Sequence, residues 1–240
     1  MSLSYRALAL LLSYPTEASR AALPEAAAVL EADLRLPAPV RRALGALARE
    51  LAAADIYEAQ ERYVWLFDRT RSLSLNLYEH VHGESRDRGQ AMVSLLELYR
   101  AKGLELSANE LPDYLPVFLE FLSTQPDAEA ASLLGEASHV LSALGQRLHK
   151  RQSPYRAVFG ALSALAADPA DAEALASLMA EPDDNPDDLE AMDKLWAETA
   201  VSFGPSDVGC PKAEALVTAM KPGPAPQRQR PSAQTVLGAA

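Results

Sequence analysis

Apolar side chains recur every three or four positions along most of the chain, the spacing that places them on one face of an α-helix. The first such segment covers residues 3–14 and stops at Pro15, as helices commonly stop before proline. Pro24 and Pro39 each stand where a further Ala/Leu-rich segment begins, and the first turn of a helix tolerates proline. The pattern therefore predicts three helices before residue 55.

A fourth helix is predicted between Asp55 and Asp68. Asp55 and Glu58 have the spacing of a reciprocal capping box. One face of the helix then carries Ile56, Ala59, Tyr63, Leu66 and Phe67. Aromatic rings in a helix of this kind usually belong to the core. Trp65, however, lies off the apolar face. We therefore expect at least one large ring to reach the surface or a groove.

The pattern breaks over residues 68–85, where a loop and a short helical turn are expected. Ser85 is a plausible N-cap for the next helix, and Gly103 suits its end. Pro112 and Pro116 can share the first turn of the helix that follows. Further helical segments are predicted over residues 127–150, 154–167 and 171–180.

The C-terminal quarter changes character. Residues 181–188 are acidic and broken by prolines, which predicts a solvated linker. A last amphipathic piece is expected over residues 189–203, and the proline-rich tail 204–240 is expected to be disordered. The sequence thus predicts an all-α, single-domain helical bundle over residues 1–203, followed by the tail.

Composition agrees with an all-helical fold. The chain has one isoleucine, twelve valines and six threonines, whereas Ala, Leu, Glu and Arg fill nearly half of all positions. Its 11 glycines are few for a nucleotide-binding α/β fold with many tight turns. Hydrophobic residues make up 49% of the chain, enough to build a core.

The formal net charge of -11 restricts the possible partners. An acidic surface repels nucleic acid and anionic membranes and attracts basic segments. The single cysteine, Cys210, excludes an internal disulfide framework and fits a reducing compartment. No apolar run reaches the roughly 18 residues of a membrane span, and no signal peptide is recognisable. We expect a cytoplasmic protein that binds no nucleic acid and does not insert into a membrane.

The densest polar run covers residues 79–90 and could be argued as an active site. On one continuous helix His80, Glu84 and Asp87 would share a face, as in a metal-dependent enzyme. Against this, His82 is two positions from His80, and Gly83 favours a break between helices. We therefore expect no metal at this run.

Two other interpretations of this run stay open. Arg86, Asp87 and Arg88 could form surface ion pairs that cap the start of a helix. Alternatively, the histidines and charges, with Tyr78, could line a groove and bond to the backbone of a bound peptide. The residue pattern alone does not rank these two.

Motifs for covalent or phosphate chemistry are missing from the sequence. It contains no G-x-S-x-G, G-x-x-x-x-G-K-[ST] or G-x-G-x-x-G pattern. Cys210 lies within the predicted disordered tail, with no structured base near it in sequence. We therefore predict no catalytic residue, and a protein that is not an enzyme.

Three runs of sequence carry a family resemblance: YVWLFDR at 63–69, LYEHVHGESRDRGQAM at 77–92 and ELPDYLP at 110–116. They resemble the nitrate reductase assembly chaperones of the TorD-like family of redox-enzyme maturation proteins. LLSYP at 11–15 and LWAE at 195–198 are similar to that family too. The resemblance spans most of residues 5–203 and does not include the tail.

This resemblance implies a cofactor-free helical bundle in the cytoplasm. Its partner would be the apo catalytic (molybdenum) subunit of nitrate reductase, bound chiefly at its N-terminal segment. The chaperone would keep that subunit competent for molybdenum cofactor and iron-sulfur insertion before it docks at the membrane. A chaperone of the same fold for another molybdoenzyme is the alternative.

The resemblance also implies which residues bind the partner. A target segment derived from an export signal would be basic and amphipathic, which suits an acidic groove with apolar walls. The predicted peptide-binding residues are Tyr63, Phe67, Tyr78, His80, His82, Glu84, Arg86, Asp87, Arg88 and Tyr114. For Asp87 and Arg88 a structural role, bracing the loop before the helix, stays equally open.

Overall fold

Eleven α-helices and one 3₁₀ turn make up the part of the chain that the computed structural model describes, namely residues 2–83, 85–106, 110–188, 190 and 193, without the Arg86 side chain. The helices are α1 (Leu3–Leu12), α2 (Glu17–Ala32), α3 (Ala38–Ala53), α4 (Ile56–Phe67), α5 (Leu77–His82), α6 (Arg86–Ala101), α7 (Leu115–Thr124), α8 (Asp127–Glu136), α9 (Ser138–Lys150), α10 (Arg156–Leu165) and α11 (Ala172–Ala180), with the 3₁₀ turn at Arg71–Leu73. These residues contain no β-strand, so the all-α prediction is confirmed. The predicted tail 204–240 and most of the predicted helix 189–203 lie outside them.

Helix α4 begins and ends where the sequence predicts. The Asp55 carboxylate accepts hydrogen bonds from the backbone N–H groups of Tyr57 (2.9 Å) and Glu58 (3.4 Å), which fixes the first turn. The loop and short helix predicted over residues 68–85 are also present, as the 3₁₀ turn and α5. Capping and periodicity therefore locate this region correctly.

Pro24 does not open a helix, and that prediction is wrong. Helix α2 begins earlier, because Thr16 Oγ1 accepts from the Ser19 N–H (3.0 Å) and Ser19 Oγ accepts from the Thr16 N–H (2.8 Å). This reciprocal capping pair starts the helix upstream of the proline. Pro24 then lies exposed in the helix interior, where it removes one backbone hydrogen bond.

Two further boundaries differ from the prediction. The segment 127–150 forms two helices, α8 and α9, which meet at Ala137. Near the end of α8, Gly135 packs against the backbone of Asp168. A Cβ added to this glycine would be 3.4 Å from the Asp168 backbone nitrogen. Pro116 is in the first turn of α7 as expected, whereas Pro112 precedes that helix.

The core is built around α1, which packs against α2, α7 and α10. Tyr5, Leu8, Leu11 and Leu12 on this helix are almost wholly buried. Each such side chain contributes roughly 1.5–3 kcal/mol on burial. Since α1 is enclosed on several sides, it is apolar over most of its surface.

Asp113 ties the start of α5 to the segment before α7. Its carbonyl accepts the Leu77 N–H (3.0 Å), and its carboxylate Oδ2 accepts the Tyr78 N–H (3.1 Å). The residue is completely buried, and burial raises the pKa of its carboxyl above the usual value. The Tyr78 N–H and the charge of Arg88 oppose that rise. Asp113 thus positions the segment that carries most of the predicted site.

No helix in the described ranges is long and apolar enough to cross a membrane.

Candidate partner-binding site

Three of the predicted partner-binding rings face the interior. Tyr63 is only 6% exposed, and its O–H donates to the Leu12 carbonyl at 2.8 Å. The Tyr63 oxygen can then accept from the Tyr114 hydroxyl, 2.7 Å away. Phe67 meets Tyr155 edge-on, with ring centroids 5.1 Å apart. Since these contacts are internal, they support the fold, and a role of the three rings in peptide binding stays a prediction.

His80 holds α5 against the preceding loop. Its Nε2 is 2.8 Å from the Ser74 carbonyl, so this nitrogen carries the proton and donates. Burial lowers the pKa of His80, and the positive charge of Arg147 lowers it further. The bond to Ser74 and the nearby carboxylates Glu79 and Glu181 oppose this shift. The imidazole is therefore neutral at pH 7 and already has a partner.

The metal site considered for His80, Glu84 and Asp87 required one continuous helix. Gly83 has φ +55°, the left-handed region that favours glycine, and α5 ends there. Helix α6 starts anew at Arg86, so His80 and Asp87 stand on separate helices. Glu84 lies outside the described residues, and among those that are described no three His, Cys, Asp or Glu side chains could together hold a metal. The geometry that motivated a metal-dependent enzyme is thus contradicted.

The remaining predicted residues form a corner between α5 and α6. Tyr78 and His82 are half-buried, with ring centroids 5.7 Å apart and ring planes at 69° to each other. Val81 beside them is 50% exposed. This corner, defined by Tyr78, Val81 and His82, offers a small apolar surface.

The charges at the start of α6 have different environments. Asp87 is exposed in the first turn, where a negative charge favours the helix N-terminus. Arg88 is half-buried, and its charge opposes the rise in pKa that burial causes at the Asp113 carboxyl. A structural role for Arg88 and contact with a peptide both stay predictions. The Arg86 side chain lies outside the described part of the protein.

A pocket of about 260 Å³ opens on the outer face of α4. It is lined by Tyr14, Gln60, Glu61, Val64, Trp65 and Arg69. None of these residues is in the predicted set, although YVWLFDR was one of the runs that carried the resemblance. The available signal was the position of Trp65 off the apolar face of α4.

Two contacts hold Tyr14 and Pro15 against α4. The Gln60 amide Nε2 donates to the Pro15 carbonyl at 2.8 Å. The Tyr14 ring packs edge-on to Tyr63, with ring centroids 5.6 Å apart. Tyr14 nevertheless remains 45% exposed. One wall of the pocket is therefore fixed in place while its surface stays accessible.

The acidic segment 181–188 lies along the same face of α4. The Trp65 indole N–H donates to the Asp187 carboxylate at 2.8 Å, and the Arg69 guanidinium donates to the Pro186 carbonyl at 3.3 Å. Arg151 donates to the Asp183 carboxylate at 2.6 Å and lies 5.9 Å from the centre of the Trp65 ring. The segment is non-helical, as expected of a linker. These hydrogen bonds anchor it to the bundle, whereas the sequence predicts that it is solvated.

A second cavity, of about 20 Å³, lies inside the bundle between α1, α2 and α4. Tyr155 lines it, and the Tyr155 hydroxyl has no hydrogen-bond partner among the residues that the structure describes. Such a volume holds about one water molecule. The pocket on α4 is therefore the better candidate for a partner.

The comparisons with known proteins agree on one family. The family model described as nitrate reductase delta subunit matches residues 33–161. The chain is 43% identical over 202 residues to the nitrate reductase molybdenum cofactor assembly chaperone NarJ of Escherichia coli K12, which covers 83% of this chain and 84% of that protein.

Two further relatives carry related names. The probable nitrate reductase molybdenum cofactor assembly chaperone NarW of E. coli K12 is 38% identical over 198 residues, covering 82% of each chain. The probable chaperone NarJ of Bacillus subtilis is 31% identical over 153 residues, covering 64% of this chain and 82% of the relative.

Proposed function

The chain belongs to the nitrate reductase delta subunit family, and on that premise we propose that it is an assembly chaperone for the catalytic subunit of respiratory nitrate reductase. The observation that carries this proposal is the 43% identity to a protein named as such a chaperone, over more than four fifths of both chains. The relatives are named as chaperones and not as enzymes, so we assign this chain no catalytic activity.

In this proposal the chaperone binds the apo catalytic subunit in the cytoplasm, chiefly at its N-terminal segment. It keeps the subunit competent to receive the molybdenum cofactor and iron-sulfur clusters, and it delays docking at the membrane until they are inserted. Occupying the leading segment is sufficient for such a delay, because a segment held by the chaperone is not available to another partner.

The chemistry of the surface supports this mode of action. The net charge of -11 attracts a basic segment from a distance and raises the rate of encounter. Burial of apolar side chains against exposed rings then slows dissociation. Charge therefore favours approach, and apolar contact favours retention.

The test is co-purification from cells. The full chain carries an affinity tag, and the untagged catalytic subunit is made with and without molybdenum cofactor synthesis. We expect the tagged chain to retain the cofactor-free subunit and to release the loaded one. Failure to retain the cofactor-free subunit contradicts the proposal. Retention of the apo catalytic subunit of a different molybdoenzyme instead favours a chaperone of the same fold with another client.

A further inference from the structure

We infer that the outer face of α4, together with the acidic segment 181–188, is the surface that takes the basic amphipathic leading segment of the client. We call this surface the α4 groove; its walls are Tyr14, Gln60, Glu61, Val64, Trp65 and Arg69, with the acidic segment alongside. The inference rests on the proposed function and names the binding surface, which the family resemblance had placed around residues 63–67, 78–88 and 114.

The size of the pocket fits amino-acid side chains. Drug-sized ligands and cofactors occupy roughly 300–1,000 Å³, whereas this pocket has about 260 Å³. Its apolar walls are the exposed Tyr14 ring and the half-buried Val64 and Trp65. One or two large apolar side chains from a bound helix would displace water from these walls.

The charges around the pocket select the kind of partner. Glu61 lines the pocket. Glu58 and Asp68 are exposed, and their spacing of three and seven positions from Glu61 places them on the same face of α4 or just beyond its end. The acidic segment contains Glu181, Asp183, Asp184, Asp187 and Asp188 and neither Lys nor Arg. A helix that is apolar on one face and basic along its edges complements this arrangement.

The basic residues nearby do not cancel this field at the groove. Arg62 forms an ion pair with Glu50 on α3. Arg69 donates to the Pro186 carbonyl, and Arg151 donates to the Asp183 carboxylate. Arg69 keeps its full positive charge, because the carbonyl that it bonds is neutral. The eight carboxylates named above nevertheless outnumber these three arginines, so the field at the groove stays negative.

The groove is formed before any partner binds. Four donors from the bundle fix the acidic segment, namely Trp65, Arg69, Ser72 and Arg151. Within the segment, Pro186 is buried. A preformed wall lowers the entropy cost of binding. By contrast, His80 Nε2 and the hydroxyl groups of Tyr63 and Tyr114 are engaged in internal hydrogen bonds.

Trp65 can report on its own surface. The chain has two tryptophans, and Trp196→Phe leaves Trp65 as the single tryptophan in the full-length protein, which can be excited selectively at wavelengths that tyrosine does not absorb. The probe is a synthetic peptide that copies the N-terminal segment of the catalytic subunit. On titration we expect the Trp65 emission to shift as the ring loses water, with saturation at one peptide per chain.

Two groove variants and two matched controls locate the binding surface. Val64→Arg and Glu61→Lys alter the groove; Leu34→Arg and Glu25→Lys make the same kinds of change at exposed positions elsewhere. Each groove variant should weaken peptide binding by about tenfold or more. Each control should stay within about twofold of the parent protein. Val81→Arg tests the corner between α5 and α6 in the same assay.

The outcomes separate the two proposals. If the parent protein binds while the groove variants match their controls, the inference is overturned and the proposed function stands; weakening by Val81→Arg alone would place the site at the corner. If sedimentation shows a dimer that Val64→Arg dissociates without changing peptide affinity, a second copy occupies the groove and the inference is again overturned. If the parent protein binds neither peptide nor apo subunit, both proposals fail.

Discussion

The two faces of α4 differ in burial and in polarity although they belong to one helix. The inner face carries Ala59, Tyr63, Leu66 and Phe67, all buried. The outer face carries Gln60, Glu61, Val64 and Trp65, which are exposed or half-buried and border a pocket. A sequence run that resembles a family can therefore combine residues that stabilise the fold with residues that can bind a partner.

The inner face should dominate stability. Phe67→Ala removes a buried ring that packs on Tyr63 and Tyr155, and we expect the free energy of unfolding to fall by roughly 3–5 kcal/mol. Val64→Ala on the outer face removes a half-buried side chain and should cost less than about 1 kcal/mol. Urea denaturation of both variants measures the difference. Equal losses would show that the two faces are not distinct.

The paired tyrosines give a finer test of the inner face. Tyr63→Phe leaves both the Leu12 carbonyl and the Tyr114 hydroxyl without their partner, and should cost about 1–3 kcal/mol. Tyr114→Phe leaves the bond from Tyr63 to Leu12 intact and should cost about 1 kcal/mol or less. The same denaturation assay compares them. A larger loss for Tyr114→Phe would contradict the assigned direction of these bonds.

The acidic segment should depend on Arg151. Arg151→Ala removes donors to the Asp183 carboxylate, the Asp184 carbonyl and the Ser72 hydroxyl, and should lower stability by roughly 1–2 kcal/mol. Cleavage within residues 181–188 by a protease that cuts beside acidic residues should become faster. The exposed Arg42→Ala is the control and should leave the cleavage rate unchanged. Unchanged cleavage in Arg151→Ala would show that Arg151 does not anchor the segment.

The smallest expected effect is a pH dependence from His80. Burial lowers its pKa in the folded protein below the ordinary 6.5, so on acidification the unfolded chain takes up a proton before the folded chain does. The free energy of unfolding should therefore fall as the pH drops below about 6.5, until the folded-state pKa is reached.

His80→Gln isolates this contribution, because glutamine can still donate to the Ser74 carbonyl but does not titrate. The variant should lose less stability than the parent protein between about pH 7 and pH 5. His82→Gln removes a histidine from the same helix and is the matched control. A His80→Gln profile parallel to that of the parent protein would contradict the effect of burial on His80.

The sequence predicts those features that depend on neighbouring residues. The Asp55 cap, the extent of α4 and the break at Gly83 follow from capping, periodicity and glycine conformation, and all are present. The prediction for Pro24 fails because the reciprocal Thr16–Ser19 pair starts the helix upstream of the proline. Local rules therefore succeed where all the relevant local signals are considered.

The candidate site required information that local rules do not contain. Trp65 is bonded to Asp187, 122 positions further along the chain, and no periodicity predicts such a contact. Likewise, the inward orientation of Tyr63 depends on the Leu12 carbonyl of another helix. The resemblance includes the stretch of chain that forms α4, and the tertiary contacts decide which of its side chains are accessible.

Hydrogen exchange on the full chain, with and without the apo catalytic subunit, tests the central claim most directly. We predict that complex formation slows amide exchange within residues 56–69 and 181–188 more than anywhere else in the described part of the chain. A complex that protects residues 78–90 and leaves those two regions unchanged would contradict the claim that the outer face of α4 binds the client.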